Sequence, residues 1–592
     1  MPKYKYITKF LIWRYKHISN KNFVFILSIL VGLLAGLASV ILKNITFYIK
    51  SFVNSGITFQ TQQLYFIIPF IGLLIVWLCF KYLLKSKPDH AIPSILFALS
   101  KKASIIPFKK IYHPLITAPL TVGFGGSVGL LGPAIGSGAA ISSNLGQLLH
   151  LDRKTKTLLI SCAAAGAIAS IFKSPVAAII FAVEVFSLDL TISSLLPLLL
   201  ASISSVLTSY FFMGDELLFD FKLIEDFKLK DTLFFIILGI GTGIASNYFN
   251  KIYFLTTRLF QKINNPFLKL VFGGLFLGAL IYAIPPLYGE GFSFINNLLS
   301  DHHIDALGQT PFDTYMDNIW VIIGLLFGII VFKAIAMSTT LAIGGVGGII
   351  IPTMVMGSTL GNVIAKIINN SGLGFHVSES NFTLVGMAGL IAGVIHAPLT
   401  AIFLIAEITG GYTLFIPLMI TVVVSFIITK NTSDHNIYTK KLAEKGDLLT
   451  HNKDESVLKL MSLDKVIEHN FIPLRPEMSL REMLHDGVAK SSRNLFPVID
   501  ENSKMSGVIL LDNIRECMFN QELYDNTSVS DYMIQPPDYI YYESDDMKTV
   551  MKKFQNTSAW NLPVIKNNTY YGFISKSKLL TSYRRQLINY TK

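Results

Sequence analysis

The chain has 592 residues, of which 52% are hydrophobic and only 15% are charged. A soluble domain carries about 25% charge, so the composition excludes a soluble protein and points to a polytopic membrane protein. The formal charge of +12 would raise nucleic acid as a partner in a soluble chain. Here it reads as basic cytoplasmic loops and ends around apolar spans, with a lipid bilayer and no nucleic acid as the expected surroundings. Cys79, Cys162 and Cys517 are too scattered for a disulfide framework or a zinc site. No metal, cofactor or enzyme activity is expected.

Met1–Asn22 is rich in Lys and Arg and has no acidic residue. It precedes the apolar stretch Phe23–Leu42, which is long enough to span and is not closed by a signal-peptidase pattern. The start therefore reads as a basic cytoplasmic segment before a first span, with Tyr65–Leu84 as the second. In Asp89-His90-Ala91-Ile92-Pro93 the proline sits where a helix would begin. Gly125-Gly126-Ser127-Val128-Gly129-Leu130-Leu131-Gly132-Pro133 is too rich in glycine for a helix interior. It reads as a loop that becomes a helix at Gly132-Pro133, since proline is tolerated in a first turn. Such a start leaves backbone N–H groups unpaired at the positive end of a helix dipole, which suits an anion.

Next come two helical segments within Thr157–Leu190, containing Ala164-Ala165-Gly166, Ser174-Pro175 and Glu184. Apolar segments follow at Ser193–Met213, Thr232–Phe254 and Leu268–Pro285. Gly289–Asp317 reads as a polar loop with a short helix, and Asn318–Ala342 as a further span. Then the first device returns as Gly344-Gly345-Val346-Gly347-Gly348-Ile349-Ile350-Ile351-Pro352, followed by Ala388-Gly389-Leu390, Ala397-Pro398 and Glu407. One unit is used twice, roughly at 23–213 and 232–430. Phe382–Thr409 and Leu414–Lys430 complete the bundle, and a final helix is expected over 431–445, carrying Tyr438. Gly/Pro-interrupted apolar segments at corresponding places in two halves point to a transport site in mid-membrane. The bland alternative is two close-packed Gly/Ala helix interfaces without a ligand.

After Gly446 charge rises and the pattern shortens. Asn494-Leu495-Phe496-Pro497-Val498-Ile499 and Gly507-Val508-Ile509 parallel Asn561-Leu562-Pro563-Val564-Ile565 and Gly572-Phe573-Ile574. A second, soluble repeat is expected: a transmembrane domain over 1–445, a linker over 446–465, and two modules over 466–524 and 529–590.

These motifs resemble the CLC family of chloride channels and chloride/proton exchangers, with a tandem CBS pair at the C-terminal end. The resemblance implies a polytopic α-helical membrane protein, an inverted repeat with broken helices, joined to a cytoplasmic α/β CBS pair. It also implies a homodimer with one pore per subunit. The family's G-S-G-I-P-like motif stands here as Asp89-His90-Ala91-Ile92-Pro93, its G-x-F-x-P as Gly348-Ile349-Ile350-Ile351-Pro352, and its chloride-facing tyrosine as Tyr438. The implied anion-binding positions are His90, Ala91, Ile92, Leu130, Leu131, Gly132, Gly348, Ile349, Ile350, Ile351 and Tyr438. His90 reads equally as a structural histidine at a helix start.

Two departures bear on mechanism. The family's G-R-E-G-P is Gly129-Leu130-Leu131-Gly132-Pro133, so the glutamate that gates and carries protons is replaced by Leu131. The family's glutamate pair at the relay is Glu184-Val185, so the relay position is Val185. With neither group titratable, passive anion conduction is the first expectation, as a channel or uncoupled uniporter. Coupled exchange through Glu184 or His90 is the alternative, although Glu184 and Glu407 occupy matching places and suggest a structural pair. Lys173 adds positive potential near the pore or snorkels. A cation path would want carboxylates or carbonyls at the broken helices, and the two glycine runs contain no acid. A membrane-anchored sensor working through the CBS pair is a further alternative. Adenine nucleotide at the pair is doubtful, because the ribose-binding aspartate positions are Asn513 and Lys578. Short loops suggest a bacterial inner membrane, with both termini cytoplasmic.

Overall fold

The computed structural model describes residues 5–55, 64–101, 103–186, 188, 191–214, 219, 227–300, 307, 318–372, 374–444, 458 and 461–591. The chain divides into two units, Met1–Leu448 and Leu449–Lys592.

The described residues of the first unit form helices joined by turns and loops. Its first half contains α1 (Lys5–His17), α2 (Asn20–Ser55), α3 (Ile68–Leu78), α4 (Ala91–Lys101), α5 (Tyr112–Gly123), α6 (Leu131–Leu148), α7 (Arg153–Phe172), α8 (Pro175–Phe186) and α9 (Ile192–Met213). Its second half contains α10 (Thr232–Gln261), α11 (Pro266–Ala283), α12 (Phe292–Leu299), α13 (Ile319–Ala342), α14 (Ile350–Asn369), α15 (Glu379–Ile395), α16 (Pro398–Ile408), α17 (Phe415–Thr432) and α18 (Lys440–Glu444). Nine helical stretches among the described residues are long and apolar enough to cross a membrane. The shorter apolar helices α4, α8, α15 and α16 need partners to complete a crossing.

The expected doubling is visible in the packing. In the first half α2 packs on α7 and α9, and α6 and α9 pack on α7. In the second half α10 packs on α15 and α17, and α14 and α17 pack on α15. Matching helices are capped at matching places: Asp152 accepts from Thr155 N–H at α7, and Ser378 accepts from Asn381 N–H at α15. Lys173 and His396 end α7 and α15 in the same left-handed conformation. Small residues let these helices approach closely. A Cβ on Gly361 of α14 would stand 1.9 Å from the Phe382 carbonyl oxygen of α15.

The C-terminal part of the domain differs from expectation in one respect, the extent of its last helix. Phe382–Thr409 holds two helices, as its match to the doubled segment Thr157–Leu190 implies, because Pro398 opens a new one and cannot donate to the ladder of the first. The final helix is only Lys440–Glu444, while α17 runs on through Thr432. Tyr438 therefore lies in the turn before α18, where Asn436 Oδ1 accepts from the N–H groups of Tyr438 and Thr439. Most of the linker at 446–465 and most of the loop at 301–317 lie outside the described residues.

The second unit is built of strands and short helices. Hairpin β2 (Leu495–Ile499) with β3 (Met505–Leu510) repeats hairpin β5 (Asn561–Lys566) with β6 (Thr569–Ser575). Val498 pairs with Gly507 and Val564 with Gly572, and a bulge follows at the same place in each. β1 (Ile467–Glu468) adds to β6, and β4 (Ile540–Tyr541) adds to β5, giving the order β1-β6-β5-β4. The segment that opens the first module thus completes the sheet of the second, with Val466 and Ile467 buried against Val550, Phe554 and Leu562. Burial alone would raise the Glu468 carboxyl, but hydrogen bonds from Ser575 and Arg493 hold it below the usual carboxylate range. Helices α19 (Met547–Thr557) and α20 (Lys576–Thr591) complete this unit.

Candidate functional site

Three helices of the first unit begin alike. The first in-helix bond is Ser94 N–H to His90 O in α4, Ala134 N–H to Leu130 O in α6, and Thr353 N–H to Ile349 O in α14. The residue just before each of these donors is a proline, Pro93, Pro133 or Pro352, which has no N–H. Each helix therefore presents two N–H groups without an in-helix acceptor: Ala91 and Ile92, Leu131 and Gly132, Ile350 and Ile351.

The two glycine runs meet each other. Gly129 N–H donates to Gly348 O at 3.0 Å and Gly348 N–H donates to Gly129 O at 2.6 Å. The runs also exchange side-chain bonds, with Ser127 N–H donating to Thr340 Oγ1 and Val346 N–H to Thr121 Oγ1. Gly348 is small by necessity, since a Cβ there would lie 2.7 Å from Gly132 N. This pairing brings the start of α6 against the start of α14.

Beside the pair is a cavity of about 30 Å³, lined by His90, Ala91, Ile92, Pro93, Gly132, Tyr253, Leu341, Gly347, Gly348, Ile349, Ile437 and Tyr438. A cavity of that size holds one small ion or a water or two. It gathers residues from α4, α6, the approach to α14 and the turn before α18. Of the expected positions, His90, Ala91, Ile92, Gly132, Gly348, Ile349 and Tyr438 line it. Leu130, Leu131, Ile350 and Ile351 are buried at the same helix starts but do not line it. Tyr253 on α10 was missed, because a tyrosine in mid-span carries no motif.

The carboxylates lie elsewhere. Glu184 of α8 accepts from Leu399 N–H (3.1 Å), Thr400 N–H (2.8 Å) and Thr400 Oγ1 (2.6 Å) at the start of α16. Glu407 of α16 accepts from Val176 N–H (3.0 Å) and Ala177 N–H (2.9 Å) at the start of α8. Each caps the other's helix. Val185 is buried beside this cap. Lys173 donates to Gly214 O and lies over the Tyr210 ring.

One acid does reach the glycine runs, and it comes from the loop read as merely polar. Glu290 Oε1 accepts from Leu130 N–H at 2.9 Å. The loop that carries it is held from several sides. Lys333 of α13 is fully buried and donates to Leu287 O and Gly289 O. Tyr288 donates its hydroxyl to Gly123 O. The only sequence signal for Glu290 is an acid between two glycines, Gly289 and Gly291, both left-handed here.

The profile of the family described as "Voltage gated chloride channel" matches residues 71–430. The chain belongs to that family. Residues 529–585 match the CBS domain. A relative in Ralstonia nicotianae, described as a putative chloride channel protein ClcB-like, is 26% identical over 386 residues, 64% of this chain and 86% of the relative. The crystal structure of a slow cyanobacterial Cl-/H+ antiporter superposes with a TM-score of 0.60 at 21% identity, covering 72% of this chain and 98% of that one. A CLC-type fluoride/proton antiporter superposes with a TM-score of 0.56 at 23% identity, covering 70% of this chain and 97% of that one. At these identities the likeness shows the fold: a CLC membrane domain with broken helices, joined to a CBS pair. The chain is thus an integral membrane protein of anion transport, not an enzyme. Among the described residues, no group of three or more His, Cys, Asp or Glu is placed to hold a metal. In the CBS pair, Asn513 follows β3 and Lys578 lies in the first turn of α20, both exposed. Neither supplies the acid that a ribose would need.

Proposed function

We propose that chloride, or an anion of similar size, crosses through the cavity where α4, α6 and α14 begin. The observation that carries this reading is one ion-sized space lined by residues at or just before all three starts, among them Ala91, Ile92, Gly132 and Ile349, together with Tyr438. Anion entry into a membrane requires compensation for lost water. Dipolar N–H groups supply it without the grip of a full positive charge, so release stays possible. In this reading His90, Ala91, Ile92, Leu130, Leu131, Gly132, Gly348, Ile349, Ile350, Ile351 and Tyr438 form the path. Leu131 stands at the gate position and Val185 at the relay position.

Leu131 and Val185 cannot take a proton, which favours passive conduction. That inference assumes no other carboxylate reaches the path, and Glu290 removes the premise. Two of the solved structures of like fold are described as proton antiporters. We therefore put exchange against protons first and passive conduction second. Of the carriers considered from sequence, Glu184 is committed to its cap, while His90 lines the cavity. The protein is proposed to work as a homodimer in a bacterial inner membrane, with both termini cytoplasmic, which suits its basic start.

The deciding measurement uses purified protein in liposomes under a chloride gradient, with voltage clamped by an ionophore and external pH recorded. Protons driven uphill by chloride establish exchange. Chloride flux without proton movement establishes passive conduction. Absence of anion flux from folded, reconstituted protein overturns the anion path as placed here.

A further inference from the structure

We propose that Glu290 is a tethered competitor for the anion, a gating carboxylate supplied by the loop between α11 and α12. The inference rests on the anion path described above and adds its regulation. Leu130 N–H stands next to the Leu131 and Gly132 N–H groups. It is already occupied by a carboxylate oxygen, at 2.9 Å. A carboxylate and a chloride seek the same donors, so bound Glu290 excludes an anion from this end of the row. Charge-assisted bonds to backbone N–H groups are among the stronger hydrogen bonds.

The loop is built to aim this side chain. Lys333 clamps the carbonyls on both sides of Tyr288, and Tyr288 ties the loop to the end of α5. Gly289 N–H donates to Gly125 O, at the first residue of the glycine run. Gly289 and Gly291 take left-handed conformations on either side of the acid, and a Cβ on Gly291 would meet Val355 Cγ2 at 2.6 Å. Glu290 is therefore anchored by its neighbours, while its own carboxylate makes a bond that rotation of the side chain can break.

The charges acting on Glu290 are Lys43 and Lys50 on α2 and Lys333 on α13. The titratable neighbours in its loop wall are Tyr288 and Tyr65, whose rings meet edge-on. Taking a proton from water makes Glu290 a neutral carboxyl. The neutral group no longer competes as an anion for Leu130 N–H, and chloride replaces it there. Acidification opens this end of the path, and alkalinisation closes it.

The test compares wild type, Glu290→Gln and Glu290→Asp in liposomes, with chloride flux measured as pH is stepped on each face in turn. Chloride binding to each purified protein is titrated calorimetrically at two pH values. In wild type, flux and chloride affinity rise on acidification of one face. Glu290→Gln removes that dependence and, at neutral pH, raises chloride affinity on the order of tenfold. Glu290→Asp, with a shorter reach, keeps the pH dependence but holds Leu130 less well and shows an intermediate affinity. Glu290→Gln with wild-type affinity and wild-type pH dependence overturns the proposal, because glutamine preserves a purely structural bond to Leu130. If Glu290→Gln does not fold, chloride binding to wild type that is independent of pH overturns it. Wild type that neither binds nor moves any anion at any pH, while folded, defeats the path itself, which is a separate result.

Discussion

Two sets of helix starts inside one membrane domain are treated in opposite ways. At α8 and α16 each start is closed by a glutamate from the other helix: Glu407 on Val176 and Ala177, and Glu184 on Leu399 and Thr400. At α4, α6 and α14 the N–H groups of the first turn have no in-helix acceptor, and residues at or just before all three starts line a small cavity. All five starts have the same dipole and the same need. A fixed carboxylate at a helix start makes it a structural joint. Leaving the start open makes it a place where an anion can bind and leave. Glu290 at Leu130 lies between these two cases, as an acid that reaches an open start from a loop.

Substitutions at five positions sharpen or break that contrast. The largest effect is expected from Glu184→Ala or Glu407→Ala, since each strands buried N–H groups at about 1–3 kcal/mol per group. Thermal unfolding in detergent should show a loss of roughly 3 kcal/mol or more. Glu184→Gln should be milder and leave any proton coupling intact. If Glu184→Gln abolished coupling with stability unchanged, the cap would belong to the transport path. Gly348→Ala is next, because its Cβ would press on Gly132 N at 2.7 Å. It should cost about 1–3 kcal/mol of stability through overpacking and weaken chloride binding measured by calorimetry. Full chloride affinity in a folded Gly348→Ala protein would place the anion elsewhere.

Leu131→Glu would convert an open start toward the capped kind. Chloride flux at neutral pH should fall about tenfold, the worth of one charge-assisted hydrogen bond, and recover on acidification. Unchanged flux at all pH values would mean that the start of α6 is not on the path. The smallest effect is expected from Tyr438→Phe, which removes one neutral donor from the cavity. Chloride affinity should drop by about threefold with stability unaltered.

Much of this was legible in the chain because glycine, proline and hydrophobic runs act locally. The glycine run closed by Pro133 and its copy closed by Pro352 announced two broken helices. The matching Glu184 and Glu407 announced a doubled unit. The low charge and long apolar runs required a membrane, since such surfaces have no other stable surroundings. What was hidden depends on contacts between residues far apart in sequence. Tyr438 is expected on a helix, although Asn436 holds it in the turn before one. Tyr253 reaches the cavity from mid-span on α10 without any local signature.

The sequence by itself determined that helices would begin at these prolines with bare N–H groups, because a first turn has no carbonyls behind it and proline has no donor to offer. Only the tertiary structure decided which of those starts would be filled. Glu184 and Glu407 cross to each other's helices, Gly129 and Gly348 bring two starts together, and Lys333 holds a loop so that Glu290 meets Leu130. A carboxylate satisfies whichever donors the packing places within about 3 Å of it, and no local pattern specifies which donors those are.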